Sequence, residues 1–210
     1  MKMVLHKAAD RGHADHGWLN AWHSFSFANY HDPTKVHFGV LRVLNDDAIA
    51  GGMGFGTHPH DNMEIITIPL SGQLEHKDSM GNSGIISKGE VQVMSAGTGI
   101  RHSEKNRNQE EALKLLQIWI SPDKRNVEPR YDQRAFDLDG AKNNLLTIVS
   151  PIGEKEGLNI HQNAWFSLGK LSKDCTTTYE LKDKKNGVFA FVIEGEVAIN
   201  EEKLYRRDGL

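Results

Sequence analysis

The sequence predicts an all-β protein made of two consecutive barrel units, the first the larger. Three observations lead there. No helical periodicity is sustained over the 210 residues, short β-rich runs follow one another, and turn signals separate them at fairly regular spacing. Strands in this arrangement close into sandwiches or barrels.

In chain order the runs are "HFGVLRVL", "MEIITIPL", "GIISKGEVQVMS" and "LKLLQIWI", with "PLSGQ", "SMGNSG" and "SKGE" as turns between or within them. The pattern lapses in "NVEPRYDQRAFDLDG", a charged stretch suited to joining two units. It resumes with "NLLTIVS", "AWFSLGKL", "TTTYEL" and "GVFAFVIEGEVAIN", broken by "KKNG" and "IEGE". The expected division is therefore 1–125 for the first barrel, 126–140 for a linker and 141–210 for the second. The turn residues "RDG" are followed only by Leu210, so the second barrel is expected to be incomplete. An open edge invites pairing, and self-association through the C-terminal unit is expected from it.

Composition narrows the function classes. Hydrophobic residues at 38% and charged residues at 25% suit a globular chain rather than a disordered one. A net charge of −3 without a Lys/Arg block argues against direct nucleic-acid binding. No apolar run is long enough for a signal-peptide core or a membrane span, and the single Cys175 excludes an intrachain disulfide. A reducing, cytoplasmic setting is the expectation, with Cys175 serving as a small hydrophobe.

The chemistry is carried by two short stretches. In "GFGTHPHDNMEI", His58 and His60 stand two residues apart, so on an extended backbone both imidazoles share one face. In "MSAGTGIRHSEKN", His102 and Glu104 repeat that spacing after a glycine-rich bend. On neighbouring barrel strands the two pairs would converge three imidazoles and one carboxylate on a point. Such a set suits a divalent transition metal and leaves open positions for substrate, whereas a structural zinc site is closed and usually built on cysteine. Glu64 is the rival carboxylate, since it shares parity with His60.

Other residues have plainer readings. Packing or capping accounts for His13, His16 and His23, and turn hydrogen bonding for His76 and Asp78 in "LEHKDSMGN". Gln117, polar within the apolar "LLQIWI", would line the pocket near the metal if it faced inward, and Trp119 shares its parity.

Gly52, His58, His60 and Glu64 resemble the first cupin motif, with the closing Gly72 one residue late. Gly89, Gly99, His102 and Asn106 resemble the second, without its usual proline and with two extra residues in the bend. These departures, with "GFGTHPH", "LEHKDSMGN" and "SAGTGIRHSE", resemble the pirin branch of the cupins. The opening "RGHADHGWLNAWHSFSFANYHDP" resembles bacterial pirin-like proteins, and the likeness is most specific up to about residue 137.

The resemblance implies two cupin barrels (double-stranded β-helix, or jelly-roll). The first would hold one divalent metal, most often Fe(II), with Ni, Cu, Mn or Zn as other ions that the set accepts. The second would be degenerate. The implied ligands are His58, His60, His102 and Glu104, with Glu64 orienting a ligand imidazole from behind. The implied activity is that of a quercetin 2,3-dioxygenase, acting on a small planar aromatic substrate and O2 with Glu104 as general base. Two other readings belong to the same resemblance: a redox-sensing regulator working through protein partners, and a cupin isomerase or decarboxylase.

Overall fold

A computed structural model describes residues 2–210. Sixteen strands make up the regular structure, with one short 3-10 turn at Ala8–Asp10 and no α-helix among the described residues. The first barrel is formed by two sheets facing each other. One has seven strands, in the order β1 (Gly12–Asp15), β2 (Leu19–His23), β3 (Leu41–Ile49), β10 (Leu113–Ile120), β5 (Glu64–Ser71), β8 (Glu90–Ser95) and β11 (Arg130–Ala135). The other has four, in the order β4 (Gly54–His60), β9 (Ile100–Asn106), β6 (Gln73–Asp78) and β7 (Ser83–Ser87).

Burial explains why the central runs read as continuously apolar. The inner face of the seven-stranded sheet meets the four-stranded one through Ile49, Leu113 and Leu115 against Leu74 and Ile86. Its outer face carries Leu44, Ile66, Ile68, Val93, Leu116 and Ile118, and these pack on Ile148, Val149, Leu158 and Ile160 of the C-terminal part. Strands β5 and β10 are thus covered on both sides, so alternation is lost.

The C-terminal part holds a three-stranded sheet, β13 (Leu158–Ile160), β12 (Leu145–Pro151) and β14 (Phe166–Gly169), and a hairpin of β15 (Glu196–Ile199) with β16 (Glu202–Tyr205). The chain's two ends meet where His6 bridges Gly209.

The structure departs from the sequence reading in three places. The supposed linker contains β11, which pairs with β8 from Arg130↔Ser95 to Ala135↔Glu90 and extends the first sheet. The histidine-rich opening forms a hairpin, β1 with β2, turned at Gly17 with φ +77. Conversely, "TTTYEL" forms no strand, and "GVFAFVIEGEVAIN" is a strand only at Glu196–Ile199. Tyr179, Leu181 and Val188 stay exposed there. β-propensity reflects packing against neighbours: no strand lies beside 176–181, and residues 190–192 meet only 207–210, through four backbone hydrogen bonds around the Phe191–Gly209 bridge.

Candidate metal centre

The site begins with how β4 meets β9. His58 lies directly opposite His102, and Phe55 opposite Glu104, with a bulge between them that takes one extra residue on β4. Without it, His58 would fall on the wrong parity; bulges commonly re-aim side chains in this way. Gly54 permits the close approach, because a Cβ there would collide with the Glu104 carbonyl. On the other side of β9, β6 sets His76 opposite Glu104 and Asp78 opposite His102. Two cross-sheet rows result: His58–His102–Asp78 and Phe55–Glu104–His76.

The three predicted histidines come together. Ring centroids lie 4.4 Å apart for His58 and His102, 4.9 Å for His58 and His60, and 4.9 Å for His60 and His102. One ring nitrogen from each can be chosen so that all three lie within 4.8 Å of one another. Glu104 falls into a second such group, with His102 and His76. His102 belongs to both.

Hydrogen bonding prepares this cluster for a cation. The Nδ1–H of His58 donates to the Gly56 carbonyl at 2.8 Å, which leaves the Nε2 lone pair free. His102 is 1% exposed, yet neither of its ring nitrogens has a hydrogen-bond partner. Buried polar atoms are almost always paired, so a nitrogen left bare among other imidazoles fits a metal ligand. Burial pushes the His60 imidazole down to about 4, helped by His58. Burial and the neighbouring His58, His60 and His76 push His102 down to about 3. Both are therefore neutral at pH 7, the form that metal binding requires. The donor set fits a divalent ion.

The carboxylate is held from the opposite sheet. Gln117, Thr67, Asn45 and Gln92 form one register row across β3, β10, β5 and β8. The Gln117 amide donates to Glu104 Oε2 at 3.0 Å and Oε1 at 3.2 Å. Thr67 lies 3.0 Å from Gln117 Oε1 and 3.5 Å from Glu104 Oε1, and its one hydroxyl proton goes to the nearer amide oxygen. That bond fixes which end of the amide faces Glu104. Burial pushes the Glu104 carboxyl up, while the Gln117 hydrogen bond and His58 pull it back.

Glu64 is not part of this cluster. The turn at Asp61–Met63, with Asn62 at φ +46, breaks the parity it shared with His60. It points to the outer face of β5, where Ser95 Oγ donates to it at 2.7 Å and the His161 backbone N–H also donates. The expectation that it orients a ligand imidazole is corrected: it joins the first barrel to the C-terminal part.

His13 stacks on Trp22 with centroids 4.2 Å apart, and His23 hydrogen-bonds Asn45 at 2.9 Å, both packing roles as expected. Asp78 does serve its turn, accepting from the Met80 and Asn82 amides. His76, assigned with Asp78 to the turn, does contact Asp78 but also stacks on Tyr131 and touches Gln92 beside the centre. One residue near the centre escaped the sequence reading. Asp47 faces the same interior, pushed up to about 8 by burial and then by Glu104; nothing in "VLNDDAI" distinguished it from Asp46.

The Pirin family matches residues 4–120, and the family described as quercetinase C-terminal cupin domain matches residues 147–210. Quercetin 2,3-dioxygenase of Escherichia coli K12 is 48% identical over 208 residues, 99% of this chain and 88% of that protein. A pirin-like protein of Caulobacter vibrioides is 41% identical over 209 residues, 99% of this chain and 89% of the relative. The crystal structure of the E. coli bacterial pirin YhhW in complex with nickel(II) superposes with a TM-score of 0.85 at 44% identity, covering 98% of this chain and 87% of that one.

Proposed function

This chain belongs to the pirin family, and on that premise we propose that it is a metal-dependent dioxygenase that opens a flavonol such as quercetin with O2, releasing carbon monoxide. The proposed ligands are His58, His60, His102 and Glu104, and the proposed ion is iron(II). One observation carries the reading. His102, buried with both nitrogens bare, lies against a His58 whose Nδ1–H is already committed to Gly56.

A divalent ion held there supplies Lewis acidity towards the 3-hydroxyl and 4-carbonyl of a flavonol. The chain's own residues do the rest. His60 and His102 stay neutral at working pH because burial depresses their basicity. Glu104, made more basic by burial, takes the hydroxyl proton on a carboxylate oxygen. Gln117 keeps that carboxylate aimed, and Thr67 keeps the Gln117 amide turned the right way. Ile65, Met94 and Ile100, packed with Trp119, keep water from the reacting groups.

Elemental analysis of anaerobically purified protein, followed by oxygen uptake and carbon monoxide release with quercetin, tests the reading. One ion per chain is expected, with carbon monoxide appearing in step with oxygen consumption. A metal-loaded chain that consumes no oxygen with quercetin overturns it.

A further inference from the structure

Strand β10 delivers two inward side chains two residues apart, and each ends on a different member of the centre. Gln117 ends on Glu104. Trp119 ends on His60, with ring centroids 4.9 Å apart and planes at 82°. From the segment between β2 and β3, Phe27 meets the same indole at 5.4 Å and 88°. Edge-to-face contacts on two sides fix the orientation of the indole ring. The register of β10 on β3 slips between Trp119 and Ile120, the kind of local kink that turns a side chain out of the regular pleat.

The indole nitrogen has no use within the chain. Trp119 Nε1 is buried and has no hydrogen-bond partner. An indole N–H is a donor only, and a buried donor calls for an acceptor. This one stands beside His60, between aromatic rings, in the same interior as the apolar Ile65 and Met94.

The geometry points to Trp119 as a specificity-determining residue whose indole N–H donates a hydrogen bond to an oxygen of a planar, oxygen-bearing aromatic ligand seated against His60, with Phe27 as the facing wall. The ligand class rests on the dioxygenase reading; the donor and the wall go beyond it. An aliphatic ligand with the same oxygen gains the hydrogen bond but not the ring contacts.

The test is anaerobic calorimetric titration of metal-loaded protein with quercetin, comparing wild type with Trp119→Phe. Phenylalanine keeps an aromatic wall and removes only the N–H. The variant should bind about 2–12-fold more weakly, the loss of one neutral hydrogen bond, with metal content and melting temperature unchanged. A second readout needs no Trp119 variant. In zinc-loaded wild type the Trp119 indole proton, identified by elimination with Trp18→Phe, Trp22→Phe and Trp165→Phe, should move downfield when quercetin is added. Equal affinity of wild type and Trp119→Phe, or an unmoved indole resonance with quercetin bound, overturns the assignment and leaves the dioxygenase reading standing. Failure of metal-loaded wild type to bind quercetin overturns the flavonol reading and the Trp119 assignment together.

Discussion

His60 is the residue on which the site can be tested with least disturbance, because it is half-buried and burial, helped by His58, holds its imidazole neutral. His60→Ala should lose bound metal while its far-ultraviolet circular dichroism stays that of the wild type, since the two larger apolar cores lie elsewhere. Stoichiometric metal in that variant would show that the centre lies elsewhere. The two carboxylates separate just as cleanly. Glu104 sits against His102, whereas Glu64 bonds Ser95 on the far side of β5. Glu104→Gln should therefore lower metal affinity beyond the roughly 10–100-fold typical of an outer partner, and Glu64→Gln should leave it nearly unchanged. Competition with a chelator measures both; the reverse order would return Glu64 to the centre.

At the scale of the element, the bulge in β4 decides which side chains face inward. Phe55 pairs with Glu104 and His58 with His102 only because one extra residue is accommodated between them. Deleting Thr57 should remove the bulge and leave a regular ladder, with Gly56 opposite Ser103 and His58 still opposite His102. Since β4 is an edge strand of its sheet, the fold and the bound metal should both survive. Metal content and thermal melting, measured together, check this; lost metal in a folded variant would mean that the bulge sets more than the residue count of the site. Strand β10 was legible as a strand in "LKLLQIWI", and the inward parity of Gln117 and Trp119 with it. Strand β11 was not, because Arg130, Asp132 and Arg134 stand along it and charge marks a linker as readily as an exposed edge strand.

For the whole molecule, two buried polar contacts tie the C-terminal part to the first barrel. Asp46 Oδ2 accepts from Arg207 Nε at 2.7 Å and from Arg11 Nη1 at 3.2 Å, with Arg207 only 4% exposed. Asp46→Ala takes this carboxylate from both guanidiniums but leaves Arg207 its Ile193 carbonyl and Glu194 and leaves Arg11 the Ala8 carbonyl, so the loss should be about 1.5–3 kcal/mol, that of a hydrogen bond to a charged group. A calorimetric melt should show that loss; a shift within error would mean that water reaches the pair. Glu64 makes the second tie, and burial pushes its carboxyl up from 4.5 to about 7. The folded state then holds its proton where the unfolded chain has lost it, so stability falls as pH rises from about 4.5 to 7, by on the order of 3 kcal/mol. Asp47, raised to about 8, acts in the same direction. His60 and His102, lowered to about 4 and about 3, act oppositely, because below pH 6.5 the unfolded chain takes protons that the folded one refuses. The difference between wild type and Glu64→Gln isolates the first effect. Denaturant titrations of the apo protein at pH 5 and pH 7 should show a smaller drop in the variant, and identical drops would refute the assignment.

The sequence by itself determined the all-β class, the three histidines and the carboxylate at a spacing that puts each pair on one face, and the polar intruder at Gln117. Those are local properties, since strand parity depends only on counting along one extended segment. Tertiary structure alone decided the rest. A bulge had to bring His58 opposite His102, and a turn at Asn62 had to send Glu64 to the far face of its strand. Both are changes of parity, which counting along the chain does not reveal. The strand in 126–140 and the absence of one in 176–181 depend on whether a neighbour lies alongside to accept the backbone hydrogen bonds. His76, Asp47 and the bare indole nitrogen of Trp119 gained their meaning from residues distant in the chain, because burial and the lack of a partner are properties of the packed interior.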